Sequence, residues 1–214
     1  MVRQAAENRE QGKRIMITNH DRSRYIGASD TSFVVGNWET DTFYKWWQSK
    51  MGLNFRPRFN NRYTLAGTFY EHALLDTIPL VEKDKQIVIP ELHLRVNYDG
   101  NVGNKIIEVK TFKDDKEFKV SKTYWRQAQV EMYAMGSKEL VFLAYPLSEE
   151  HYRNYFIPID KSKRIFIPCE YDPGFIREYL PKLKYMGMCL EKGMWPIKKN
   201  YERWLHEEHI KQTS

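Results

Sequence analysis

Cysteine is scarce in this sequence of 214 residues: there are two, Cys169 and Cys189, and they are not in CxxC spacing. Two thiols are too few for a secreted disulfide scaffold or a four-ligand structural zinc site, so they read as ordinary reduced thiols in a cytosolic protein. Long apolar runs are missing as well. Residues 1–13 are polar and charged, and no stretch approaches the roughly 18 apolar residues that cross a bilayer. The expectation is a soluble cytoplasmic protein with no membrane partner. No linker rich in Gly, Ser or Pro, no internal repeat and no low-complexity tract interrupts the chain. One domain over residues 1–214 is therefore expected, with a polar leader at 1–21 and a terminal amphipathic helix at 198–214.

What is present suffices for a self-supporting core: 42% of residues are hydrophobic and 14% aromatic, enough apolar surface to offset chain ordering without covalent staples. Lys and Arg number 34 against 28 Asp and Glu, a net charge of +6. That balance suits an anionic partner such as nucleic acid, and it equally suits a plain solvated surface.

Hydrophobic period divides the chain into elements. Residues 22–36 predict a short helix entered from a glycine-bearing loop, with Ser29 as its N-cap and Gly36 as its stop. Thr40 or Asp41 caps a second helix that runs through Phe43, Trp46 and Trp47 to Gly52. A third, over 63–78, carries Leu65, Phe69, Ala73 and Leu74 at three-to-four spacing, with Glu71 one turn after Gly67. The period then drops to two: Leu92, Leu94 and Val96 alternate with Glu91, His93 and Arg95, which predicts a strand. Residues 97–101 read as a turn, and 105–112 as the second strand of a hairpin. Its alternation puts Ile106, Glu108 and Lys110 on one face and Ile107, Val109 and Thr111 on the other. A helix over 121–135, a strand at 140–145, shorter strands at 154–159 and 163–167, a long helix opened by Asp172-Pro173 with a kink at Pro181, and a last helix over 201–211 complete the reading.

The sharpest chemical signal is Asp99 followed by Glu108-Val109-Lys110. Two carboxylates and an amine meeting at a hairpin are what phosphodiester hydrolysis needs. Hard carboxylate oxygens suit Mg²⁺, with Mn²⁺ as a substitute, and the ion neutralises charge developing on phosphate. An ammonium on the face of Glu108, roughly 6 to 7 Å along the strand, suits orienting and stabilising an attacking water. Taken alone, this spacing also fits a solvated hairpin with a cross-strand ion pair.

The order of elements narrows it: a helix with Glu71, a strand, Asp99, a strand with Glu108 and Lys110, a helix with Gln127, a strand. This order resembles the restriction-endonuclease-like core of the PD-(D/E)xK superfamily, an α/β (α+β) fold with a central mixed sheet flanked by helices. The blocks at 22–30, 67–71, Asp99, 108–110 and 124–129 follow one another as in the YqaJ-like viral recombinase, or phage lambda exonuclease, family. Likeness extends from residue 22 through 190, although only the short blocks are distinctive. The proline that usually precedes the first aspartate is Tyr98 here.

The resemblance implies a Mg²⁺-dependent exonuclease that degrades one strand of linear double-stranded DNA from its 5′ end for phage-type recombination. Its partners would be double-stranded DNA ends and a single-strand annealing protein, in the bacterial host cytoplasm, with a ring-shaped homotrimer as an assembly known in the family. It further implies that Asp99, Glu108 and the Val109 carbonyl bind metal, that Glu71 contributes from its helix, and that Lys110 serves the nucleophilic water with support from Gln127. Gln129, which forms Gln-x-x-x-Tyr with Tyr133, resembles a motif of helicase-associated nucleases, so which glutamine faces the site stays open. Arg22 and Ser29 would grip a 5′-phosphate; the plainer reading is an N-cap beside a solvated arginine. The charged run 113–119 with Lys122 and Arg126 suits phosphate neutralisation or a solvated loop. Trp46, Trp47 and Trp125, at helical spacing, read first as core.

Rival readings are a structure-specific or restriction-type endonuclease of the same core and an inactive DNA-binding accessory protein. A Cas4-type exonuclease would need four cysteines for its cluster, and a glycosidase would not need the lysine.

Overall fold

The computed structural model describes residues 24–53 and 61–213. Helices α1 (Thr31–Val34), α2 (Asp41–Lys50) and α3 (Arg62–Leu75) precede the strands β1 (Glu82–Ile89), β2 (Leu94–Val102) and β3 (Lys105–Lys113). Helix α4 (Lys122–Met135) leads to β4 (Glu139–Leu147) and β5 (Ile165–Glu170), and α5 (Pro173–Glu191) and α6 (Lys198–Thr213) follow. The five strands lie in chain order in one mixed sheet. β3 and β4 are parallel and the other neighbours antiparallel. A parallel pair needs a long crossover, and α4 provides it.

Helix ends follow side-chain chemistry. Thr40, Asn61, Ser121 and Asp172 each accept a hydrogen bond from a first-turn amide of α2, α3, α4 and α5, satisfying donors the helix cannot. Gly136 closes α4 at φ 74°, a left-handed position that glycine adopts without steric cost. Pro181 sits inside α5, which runs unbroken from Pro173 to Glu191.

Alternation along the strands splits the core in two. One face, with Leu94, Val96, Ile106, Leu140 and Phe142, packs against α1, α2, α4 and α5. The other, with Ile107, Val109, Leu143, Tyr145 and Leu147, packs against Ala66, Tyr70, Leu74 and Leu75 of α3. Burying each large apolar side chain stabilises by roughly 1.5–3 kcal/mol, so both layers are fixed by apolar contact. Trp46 stacks on Phe33 at 4.7 Å, and the indole N–H of Trp47 donates to the Met194 carbonyl. Trp125 meets Phe175 edge-on. Trp46 and Trp47 are core residues, as their spacing predicts, and Trp125 packs half-buried against that core.

Several expected elements differ. The buried stripe of α3 is Ala66, Tyr70 and Leu74, and Leu65 and Phe69 face outward, because the helix turns its 66-70-74 row to the sheet. The strand expected from residue 92 begins at Leu94: Pro90–Leu92 forms a 3-10 turn and His93 is left-handed at φ 49°. The turn expected at 97–101 is strand, and the hairpin turns instead at Gly103, φ 55°. Gly100 has a packing reason to be there, since a Cβ would come within 3.0 Å of the Glu82 carbonyl and 3.1 Å of Leu75. No strand forms at 154–159, where Pro158 lacks a ladder donor and the Asn154 side chain accepts the Phe156 amide. Strand β1, at one sheet edge, was not expected.

Candidate active site

The site begins where β2 and β3 part. Their ladder joins Val102 to Lys105, Asn101 to Ile106 and Gly100 to Ile107, and stops. One residue further, the Asp99 carboxylate enters the gap and accepts the Val109 amide at 2.7 Å. The side chain takes a donor that a continuing ladder would have used, so the opening costs no unsatisfied amide. β3 meanwhile keeps its pairing with β4 through Lys113, which holds Glu108 and Lys110 on a rigid strand.

Glu108 points to the α4 face and is 3% exposed. Its Oε1 accepts from Lys110 Nζ and from Gln127 Nε2, both at 2.7 Å. Its Oε2 is buried and has no protein partner. Lys110 Nζ also lies 4.9 Å from the centre of the Tyr124 ring. Gln127 Nε2 makes a second hydrogen bond, to Glu131 Oε1 at 2.8 Å, and Glu131 is fully buried.

Charge in this block is unbalanced. Burial first, then Glu108 and Glu71, push the Asp99 carboxyl well above its ordinary range. Burial and then Glu108 push Glu131 up in the same way, and Glu71 is raised by burial and by Glu108. Burial draws the Lys110 ammonium down, but Glu108, its hydrogen bond and Asp99 outweigh this and hold it above its usual value. Carboxylates that disfavour one another's charge around one ammonium form a site short of positive charge. The oxygen-only chemistry of that set, with the orphaned Glu108 Oε2, suits a hard divalent cation, although no three of its carboxylates bring their ligand atoms within 4.8 Å of one another.

A cleft of about 470 Å³ opens over this block and is lined by Asp99, Lys110, Gln127 and Glu71 together with Tyr25, Gly27, Ala28, Ser29 and Asp30. Ile26 joins the two groups. It bridges to Leu94, donating to the His93 carbonyl and accepting from the Arg95 amide, and so pins the 27–30 turn against β2. Lys50 is buried against Asp30 at 2.6 Å, and Asp30 also accepts the Gly27 amide and the Trp46 indole N–H.

The structure thus brings Asp99, Glu108, Val109, Lys110 and Gln127 together, with Glu71 and Ser29 on the same cleft. Glu71 leans to its edge: Glu71, His72 and Asp84 are the trio, among the described residues, whose ligand atoms all lie within 4.8 Å of one another. Gly67 faces β3 rather than open space, with Thr111 Oγ1 at an ordinary contact distance of 3.4 Å from where a Cβ would sit. Ser29 is exposed inside a 3-10 turn, Ala28–Asp30, whose N-cap is Gly27, so the expected capping role fails. The Asp30 side chain has taken the Gly27 amide in its place. Arg22 lies outside the described residues.

Gln127 and Gln129 divide cleanly. Gln129 is fully buried, donates to the Glu170 carbonyl and accepts the Asp172 amide, tying β5 to the start of α5. Tyr133 packs half-buried on the main core and does not line the cleft. The run 113–119 does not line it either, nor do Lys122 and Arg126. The basic residues that do, besides Lys110, are Lys50, Lys85 and Arg95. Pattern reading passed over them because they come from three separate elements, and only the β1–β2 pairing and the Ile26 bridge gather them.

No protein-family model matches the sequence, and no curated protein matches it. Solved structures do share its fold. An alkaline exonuclease from Laribacter hongkongensis, LHK-Exo, superposes with a TM-score of 0.57 at 18% identity over 89% of this chain and 96% of that one. The same exonuclease in complex with dAMP gives 0.60 at 19% identity over the same shares. A phage-related exonuclease from Haemophilus somnus 129PT gives 0.51 at 14% identity over 86% of this chain and 96% of that one. The fold is therefore the mixed-sheet α+β architecture of these exonucleases.

Proposed function

We propose that the chain is a metal-dependent exonuclease of the YqaJ-like viral recombinase family, one that degrades a single strand of linear double-stranded DNA from the 5′ end and leaves a 3′ single strand for phage-type recombination. The observation that carries this reading is the parting of β2 and β3 around Asp99, which sets Asp99, Lys110 and Gln127 on one cleft with the Ser29 turn and Glu108 buried behind them, hydrogen-bonded to Lys110 and Gln127. Three titratable groups held together at a cost in desolvation have no structural need to be there. The shared fold with three exonuclease structures supports the nuclease part of this reading.

Asp99 and Glu108, with Glu71 at the cleft edge and the Val109 carbonyl, are the groups that would hold Mg²⁺ or Mn²⁺. Bound there, the ion would polarise the scissile phosphate and lower the pKa of a water ligand. Lys110 stays protonated, and its ammonium orients the attacking water and stabilises the hydroxide form. Gln127 keeps the Glu108 carboxylate aimed by donating to its Oε1. Lys85 and Arg95, which line the cleft beside the acids, are the basic groups placed to meet a phosphate backbone, while Lys50 is paired with Asp30.

Polarity is tested on blunt linear duplexes labelled at either end, with 5′-phosphate or 5′-hydroxyl termini. Wild type should release the 5′-terminal nucleotide first and prefer phosphate. Ser29→Ala should narrow that preference at constant salt, because a terminal phosphate carries more charge than an internal diester and its contacts are charge-assisted. Equal rates on both termini, or release from the 3′ end, would reject the 5′ assignment.

A further inference from the structure

The proposed chemistry leaves one buried acid of the site without a task. Glu131 lies one helical turn beyond Gln127 on α4 and is fully buried. Its Oε1 accepts from Gln127 Nε2 at 2.8 Å, and the same nitrogen donates to Glu108 Oε1 at 2.7 Å. Its Oε2 has no partner. A primary amide has two N–H donors and one acceptor oxygen, and here both donors go to carboxylates. Flipping the amide would set its oxygen against the Glu108 carboxylate oxygen that Lys110 holds, so the nitrogen stays facing the two acids. The carbonyl oxygen is then the group Gln127 can offer in the cleft it lines.

As packing alone Glu131 is a poor choice: a buried carboxyl with an orphaned oxygen costs stability, and an apolar side chain of the same shape would cost less. We infer that Glu131 is a positioning residue, which acts through Gln127 to fix the amide's orientation and, with it, the aim of the Glu108 carboxylate. The inference rests on the nuclease reading for its kinetic consequences, whereas the amide lock itself belongs to the metal-free protein.

The test uses the full chain as wild type, Glu131→Met, Glu131→Gln, Gln127→Leu and the Glu131→Met/Gln127→Leu double variant. In ¹⁵N-labelled metal-free wild type, the two Gln127 side-chain N–H resonances, assigned by their loss in Gln127→Leu, should exchange slowly and be displaced downfield. In Glu131→Met one of them should return to the ordinary amide position. On linear duplex DNA with saturating Mg²⁺, Glu131→Met should lower kcat about tenfold, the effect of losing one charge-assisted hydrogen bond, with KM for DNA unchanged and Tm equal or higher. Glu131→Gln keeps an acceptor oxygen and should restore most of kcat. The double variant should be no slower than Gln127→Leu, because the two residues act in series.

Glu131→Met within twofold of wild-type kcat, or losses that multiply in the double variant, would overturn the inference. So would fast-exchanging Gln127 amide protons in wild type, a result that does not depend on Glu131→Met folding. A wild type that folds and shows the locked amide yet cleaves no DNA would instead defeat the nuclease reading and leave the lock standing.

Discussion

Two buried regions of this molecule are built on opposite rules. In the aromatic lobe, Trp38 stacks on Tyr185, Phe43 on Trp47 and Trp46 on Phe33, and the three indole N–H groups each reach an acceptor: the Val34 carbonyl, Asp30 and the Met194 carbonyl. Apolar area is removed from water and these polar tips are paired, which is how a region stabilises a fold. In the polar block where α4 meets the gap between β2 and β3, two buried carboxylate oxygens, Glu108 Oε2 and Glu131 Oε2, have no protein partner among the described residues, and the acids around Lys110 raise one another's proton affinity. That region spends stability to keep charge and geometry ready for a ligand. The contrast gives different outcomes for mutations of equal burial.

The largest effect belongs to the polar gap. Lys110→Ala and Asp99→Asn should each lower the cleavage rate by about 100-fold or more, the scale of losing a positioned catalytic group. Circular dichroism should show the fold intact, and for Asp99→Asn an unchanged or higher metal-free Tm, since the neutral amide relieves the repulsion. Folded variants with near wild-type rates would erase the distinction between the regions.

Trp47→Ala, in the aromatic lobe, should do the reverse. It removes a fully buried indole, so denaturant unfolding should show a loss of about 3–5 kcal/mol, while kcat of the remaining folded protein stays close to wild type.

A sharper comparison lies within α4, two residues apart. Gln129→Ala leaves the Asp172 amide and the Glu170 carbonyl without their partner and should destabilise by about 1–3 kcal/mol with little change in kcat. Gln127→Leu should lower kcat, and it too should destabilise by about 1–3 kcal/mol, because the buried Glu131 carboxyl loses its donor. Thermal melts and initial rates on the same preparations check both.

The smallest effect is on pH. Asp99, Glu71 and Glu131 have folded-state pKa values raised above their unfolded ones, so the folded state holds protons more tightly. Their favourable contribution is full below about pH 4, where unfolded carboxyls are protonated too, and is lost as pH rises through the raised values. Metal-free Tm should therefore fall over that window, and Asp99→Asn should flatten the fall. A metal-free Tm that climbs steadily across it would contradict the assigned repulsion.

Legibility in sequence followed the same divide. Period-two alternation placed Ile106, Glu108 and Lys110 on one face because alternate side chains of a regular strand share a face, and β3 is one unbroken strand. Caps at Thr40 and Asp172 were readable because capping is local chemistry. The segment Asn97-Tyr98-Asp99-Gly100-Asn101 has turn composition yet is strand, since Gly100 answers to Glu82 and Leu75, distant in sequence. Ser29 looked like a cap until Asp30 took the Gly27 amide. Lys85, Arg95 and Asp84 carried no local signal: β1 opposes its charged residues to β2, and only that pairing reveals them as part of the cleft.

The central claim, that the Asp99, Glu108 and Lys110 gap hydrolyses DNA from an end with a divalent metal, meets its most direct test in one digestion. Linear duplex and covalently closed circles of the same sequence are incubated together with wild type, in Mg²⁺ and in excess chelator. A metal-dependent exonuclease removes nucleotides from the linear form in Mg²⁺ alone and leaves the circles closed. Nicking of the circles, or degradation that continues in chelator, would contradict it.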